Sequence, residues 1–213
     1  MPLFQEFQFK ESFVFVWEIK ENVEELALSF ELEKFDSQNY QKLQHPVKQL
    51  DWLATRYLIH YATIKLGIAF EGIRKNQHGK LKFIGSDWHL SVTHSRNFVA
   101  LVLNQNARCG IDLEKETPRF FKVSPRVLSA SELQDAGQDL AKHCIYWSAK
   151  EALYKLYGKK EVDFKLHLKI KNFEINASKT LFSGIFENEK AKIQATFLAE
   201  KIDDLWLVVG VED

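Results

Sequence analysis

The stretch from Ser12 to Ile19 is dominated by β-branched and aromatic side chains, which predicts a strand. Asn22-Val23-Glu24-Glu25 supplies an acidic first turn, and Leu26, Leu28 and Phe30 carry a short helix behind it. Pro46 suits the first position of the longest helix. The apolar residues of that helix, Leu50, Leu53, Ala54, Tyr57, Leu58 and Tyr61, recur at intervals of three and four, and Gly67 ends it. The polar run Lys75-Asn76-Gln77-His78-Gly79-Lys80 reads as a turn between two short strands. Trp88 to Thr93 and Phe98 to Leu103 then read as neighbouring strands.

A polar break at Asn104-Gln105-Asn106-Ala107 restarts the pattern. Cys109 to Leu113 is the next strand, and Ser124 to Ala136 and Leu140 to Tyr157 are helices, the latter stopped by Gly158. Strands follow at Phe164 to Ile170, Lys192 to Leu198 and Leu205 to Val211. The chain therefore divides into an N-terminal half, residues 1–107, and a C-terminal half, residues 108–213, each mixing strands with a long helix. The expectation is a pseudo-duplicated α+β fold of two subdomains, although no sequence repeat between the halves proves duplication.

Composition narrows the function. A length of 213 residues with 46% hydrophobic content suits one compact domain or two small ones. Lys and Arg number 29 and so do Asp and Glu; a net charge of zero argues against a general nucleic-acid binder. Cys109 and Cys144 lack metal-ligand spacing, as expected of reduced thiols in the cytoplasm. The opening Met-Pro-Leu-Phe has no basic region followed by an apolar run, so no signal peptide is expected. No apolar stretch reaches the length of about 20 residues that spans a bilayer, so no membrane partner is expected either.

The chemistry concentrates in two short signatures. In Gly110-Ile111-Asp112-Leu113-Glu114, read as a strand, Asp112 and Glu114 point to the same side. In Trp147-Ser148-Ala149-Lys150-Glu151-Ala152-Leu153-Tyr154-Lys155, read as a helix, Glu151 and Lys155 lie one turn apart on one face. Three carboxylates from two elements can hold a hard divalent cation, and the lysine can meet a phosphate that the cation also binds. The bland alternative is a solvated strand face, with Glu151 in an ion pair with Lys155 or Lys150.

These residues resemble the 4′-phosphopantetheinyl transferases, specifically the long, surfactin-synthetase-activating type. The family pattern is Gly-Ile/Val-Asp-x-Glu on a strand followed by Trp-x-x-Lys-Glu-Ala-x-x-Lys on a helix, and every fixed position is present. Upstream, Ser91-Val92-Thr93-His94-Ser95 is similar to the family's Asn-x-Ser-His-Ser, and Gly79-Lys80-Leu81 to its Gly-Lys-Pro. The departures are Ser91 for Asn, Thr93 for Ser and Leu81 for Pro. Thr93 keeps a hydroxyl. The likeness runs from about Arg56 to Lys155.

The resemblance implies a fold with its active site in the cleft between the halves, and a monomer with an internal pseudo-twofold. It implies transfer of the phosphopantetheine arm of coenzyme A to a serine of an apo carrier protein, with release of adenosine 3′,5′-bisphosphate. The carrier would belong to fatty-acid, polyketide or non-ribosomal peptide synthesis. Asp112, Glu114 and Glu151 become the metal ligands, for magnesium or manganese. Glu151 is ligand, proton acceptor or both, and Lys155 a catalytic contact to the diphosphate. Thr93 and His94 match the pair at the nucleotide end, with Lys80 and Arg56 as phosphate cations. Arg119, Lys122 and Arg126 are candidates for a carrier dock, with Phe120 and Phe121 as its apolar anchor or as core. Trp147 reads as a core anchor. Two rivals remain: a non-catalytic carrier-protein or coenzyme A binding relative, and a metal-dependent nuclease or phosphohydrolase. The nuclease pattern needs a lysine two positions after Glu114, where Glu116 stands.

Overall fold

The computed structural model describes residues 3–29, 39–176 and 179–213. Phe30, expected on the first helix, lies outside them. The N-terminal half runs β1 (Gln5–Phe9), β2 (Ser12–Glu18), α1 (Val23–Leu28), α2 (Pro46–Leu66), β3 (Ile73–Lys75), β4 (Leu81–Phe83), β5 (His89–Ser95) and β6 (Phe98–Asn104). The C-terminal half runs β7 (Cys109–Lys115), α3 (Arg119–Val127), α4 (Ala130–Ala136), α5 (Leu140–Tyr157), α6 (Phe164–His167), β8 (Leu168–Ile170), β9 (Lys179–Asn188), β10 (Ala191–Ile202) and β11 (Leu205–Glu212). This is an α+β protein.

Two antiparallel sheets carry the fold, ordered β1-β2-β6-β5 and β7-β11-β10-β9-β8, and β3 pairs with β4 in a separate ribbon. Strand periodicity explains why the central strands are almost wholly apolar. Phe15 and Trp17 of β2, with Val99 and Leu101 of β6, face Leu53, Leu58 and Ile59 of α2. The alternate residues Val14, Val16, Ala100 and Val102 face Ile111, Leu113, Leu207 and Val209 of the other sheet. On the far side of that sheet, Phe197, Trp206 and Val208 pack with Ala149, Leu153 and Leu156 of α5. Each central strand thus serves two cores, and the layers run helix, sheet, sheet, helix. Both long helices end at a left-handed glycine, Gly67 with φ 64° and Gly158 with φ 70°.

The edge strands β5 and β7 of the two packed sheets also lie against each other. Side-chain hydroxyls bridge this seam: the Ile111 amide donates to Ser91 Oγ at 3.3 Å, and Thr93 Oγ1 donates to Asp112 Oδ1 at 3.3 Å. Ser91 and Thr93, two departures from the family pattern, therefore join the halves.

Several elements differ from expectation. The helix expected over Ser124 to Ala136 is two helices. Leu128 turns extended, and Ser129 starts α4 with a reciprocal cap: its side chain accepts from the Glu132 amide while Glu132 accepts from the Ser129 amide. The strand expected over Phe164 to Ile170 begins instead as α6, because Asp163 caps the amides of Lys165 and Leu166, and only Leu168–Ile170 is extended. Strands β1 and β9, unforeseen in the sequence, are half-exposed with alternating burial. Among the described residues no helix is long and apolar enough to cross a membrane.

Gly110 sets the spacing of β7 and α5. A Cβ there would lie 1.9 Å from the Ala152 carbonyl oxygen, a backbone atom that cannot swing aside. Gly110→Ala is expected to destabilise the protein by roughly 2–4 kcal/mol through overpacking and strand displacement. A denaturant midpoint unchanged from wild type would contradict this.

Candidate active site

Because Ile111 and Leu113 enter the core between the sheets, Asp112 and Glu114 are turned towards α5. Gly110 lets that helix approach closely, and Asp139 caps its start through the amides of Ala141 and Lys142. Glu151 and Lys155 then come from one face of α5. The two signatures meet in space.

Asp112 is 6% exposed. Its Oδ1 accepts from Lys155 Nζ at 2.8 Å and from the Thr93 hydroxyl, while Lys155 also donates to the Ile111 carbonyl at 2.9 Å. Its Oδ2 is buried with no hydrogen-bond partner among the described residues. Glu114 accepts from Arg119 at 2.6 Å. Burial and then Asp112 raise the Glu114 carboxyl, with Arg119 opposing. Glu151 has neither hydrogen bond nor ion pair among the described residues. Burial first, then the Asp112 charge, push it from 4.5 to about 7, with Lys155 opposing.

Neither ion pair of the bland alternative forms. Lys155 goes to Asp112, and Lys150 points away to Glu132 at 2.8 Å. Among the described residues no three acidic, histidine or cysteine side chains are already gathered closely enough to hold one ion. The donor set nonetheless fits a hard divalent cation. All its atoms are carboxylate oxygens, and among the described residues one buried oxygen lacks a partner and the desolvated Glu151 has no hydrogen bond or ion pair.

A stability prediction follows from Glu151. Its folded pKa lies above the unfolded value, so the folded state binds more protons between pH 4.5 and about 7. Metal-free protein is therefore expected to lose roughly 1–3 kcal/mol as pH rises through that window, with Glu114 adding in the same direction. Glu151→Gln should flatten the slope in urea titrations at several pH values. An identical slope in the variant would contradict the assignment.

A cavity of about 500 Å³ opens beside Lys155, lined from both halves by Trp52, Arg56, Lys80, His94, Tyr154 and Lys155 among others. Arg56 stacks over the Trp52 ring at 4.0 Å. Burial and Lys155 lower the His94 pKa, with Asp51 opposing. Asp112, Glu114 and Glu151 lie beyond Lys155 rather than on the cavity wall.

Two residues, Thr93 and Arg119, stand in places other than those expected, and Lys80 on the cavity wall has a second, structural contact. Thr93 is 5% exposed, with its hydroxyl on Asp112, so it buttresses a carboxylate instead of facing the cavity. Lys80 lies over Gly158, where a Cβ would be 2.5 Å from its Cδ, and donates to the Leu156 carbonyl at 3.1 Å. It caps the end of α5, and burial lowers its pKa to about 8. Arg119, expected at a carrier dock, is the partner of Glu114. Phe120 is core, Phe121 is 39% exposed, and Lys122 and Arg126 are exposed. Trp147 packs between Phe120 and Phe164, as a core anchor should. Lys150 is wholly buried, which helical spacing alone does not foretell.

Residues 108–209 match the family model of the 4'-phosphopantetheinyl transferase superfamily. The chain thus carries a domain of that superfamily of transferases. The matched segment holds Asp112, Glu114, Glu151 and Lys155, and begins after Arg56, Lys80, Thr93 and His94. No curated protein matches the chain.

Proposed function

We propose that the protein is a 4′-phosphopantetheinyl transferase of the long, surfactin-synthetase-activating type, with its active site between two pseudo-duplicated halves. It would act as a cytoplasmic monomer on coenzyme A and an apo acyl, peptidyl or polyketide carrier protein. The observation that carries this reading is the convergence of Asp112, Glu114, Glu151 and Lys155 beside a cavity walled by both halves.

Asp112, Glu114 and Glu151 would hold magnesium, or manganese in its place. When bound, that ion would supply neutralising charge for the transferring phosphoryl group. The cavity would receive the nucleotide end of coenzyme A, with Arg56 and His94 on its wall and Lys80 at its rim. Lys155 would donate to the diphosphate as a compact charge. The carrier's serine oxygen attacks the β-phosphorus, the bond to the α-phosphate oxygen breaks, and adenosine 3′,5′-bisphosphate leaves. Glu151, with no hydrogen bond or ion pair among the described residues, has a carboxylate oxygen available to take the serine proton. The exposed Lys122, Arg126 and Phe121 offer an edge for an acidic carrier helix.

The nuclease alternative loses support. Lys115 pairs with Asp204, and Glu116 accepts from the Trp206 indole at 2.7 Å and pairs with Lys201, so no lysine of β7 serves the carboxylates. The test is mass spectrometry of apo carriers from each class, incubated with the protein, coenzyme A and magnesium. The expected result is a gain of one phosphopantetheine arm that chelator prevents. Carrier binding without any mass gain would make the protein a non-catalytic relative.

A further inference from the structure

Asp112 is served unevenly. Oδ1 accepts both Lys155 and Thr93, while Oδ2 is buried and without a partner among the described residues. Lys155 makes the only ion pair to Asp112 among the described residues, and the same side chain lines the cavity. Its side chain is 27% exposed against 8% for Asp112, so the ammonium sits at a boundary between a buried acid and open space. Four rotatable carbons allow it to reach either side.

We propose that Lys155 is a resident counter-ion of the acidic site. A divalent cation arriving at Asp112 displaces it into the cavity, where it becomes free to meet a diphosphate. This rests on the transferase reading above and adds an order to it: cation first, anionic donor second. The physical reason is charge. Lys155 and Arg119 together place two positive charges against three carboxylates, so the ligand-free site is nearly balanced. A divalent cation and an ammonium on one carboxylate repel strongly in a partly buried site. The lysine leaves because it has somewhere to go. By linkage, whatever holds Lys155 in the cavity strengthens cation binding equally.

An unusual consequence is that removing Lys155 should improve cation binding. Manganese affinity, read by electron paramagnetic resonance at mildly alkaline pH, is expected to rise at least about fivefold in Lys155→Met and Lys155→Gln. In wild-type protein, manganese should also speed amine-directed labelling of Lys155, read by peptide mass spectrometry. Equal or weaker manganese binding in folded variants, or no manganese binding by any of the proteins, overturns the proposal. Should both variants fail to fold, labelling of the wild type decides, and a rate unchanged by manganese overturns it. The carrier assay separates the two readings. Tighter manganese binding with no transfer to any carrier sinks the transferase alone, and normal transfer with unchanged manganese affinity sinks the exchange alone.

Discussion

Asp112→Ala is expected to slow phosphopantetheinyl transfer by at least about a hundredfold, near 2.7 kcal/mol of barrier. Asp112 is the most enclosed of the three acids, and its charge adds to their own burial in raising the other two. Its removal takes away a proposed cation ligand and the anchor of Lys155 together. Asp112→Asn sharpens the test, because it keeps the shape and a hydrogen-bonding oxygen but loses the charge. Both variants should lose rate while metal-free thermal stability holds or rises, since three desolvated carboxylates repel one another. Chelator should reproduce the loss in wild type, and magnesium or manganese should reverse it. Single-turnover rates beside thermal melts decide the matter. Full activity in chelator or in Asp112→Ala would remove the acidic site from the reaction.

The acidic half of this site was legible in the sequence because it depends on local periodicity. A strand fixes that Asp112 and Glu114 share a side, a helix fixes that Glu151 and Lys155 share a face, and Gly110 marks where the two elements touch. The nucleotide side was less legible, because it depends on where long side chains settle across the seam. Lys80 and Thr93 both carry the expected chemistry. Tertiary contacts to Leu156 and Asp112 claim it, and no spacing rule foretells a bond between residues so distant in sequence. The same logic holds for the fold. The wholly buried β6 and the long helices could be read from pattern alone. The half-exposed β1 and β9, and the capped turn at Asp163, turn on edge position and on single side-chain caps.

Lys150 gives the sharpest contrast with Lys155, since the signature carries both and they do different things. Lys150 is fully buried and paired at 2.8 Å with Glu132, which is 1% exposed. Its ammonium also donates to the carbonyls of Val127, Phe164 and Leu168, tying α5 to the end of α3 and the starts of α6 and β8. Glu132 in turn accepts from the amides of Ser129 and Ile170. Lys150→Met is therefore expected to cost about 3–5 kcal/mol, because it takes the counter-charge from a buried Glu132 and the shared donor from three carbonyls. Glu132→Gln should cost less, since an amide still reaches part of the network. The double variant should cost clearly less than the sum of the two, by about 1–3 kcal/mol, the mark of one shared network. Urea titrations of all four proteins measure that coupling. If Lys150→Met lost under about 1 kcal/mol, the buried pair would not be what holds α5 in place, and the placement of Glu151 one residue further on would need another cause.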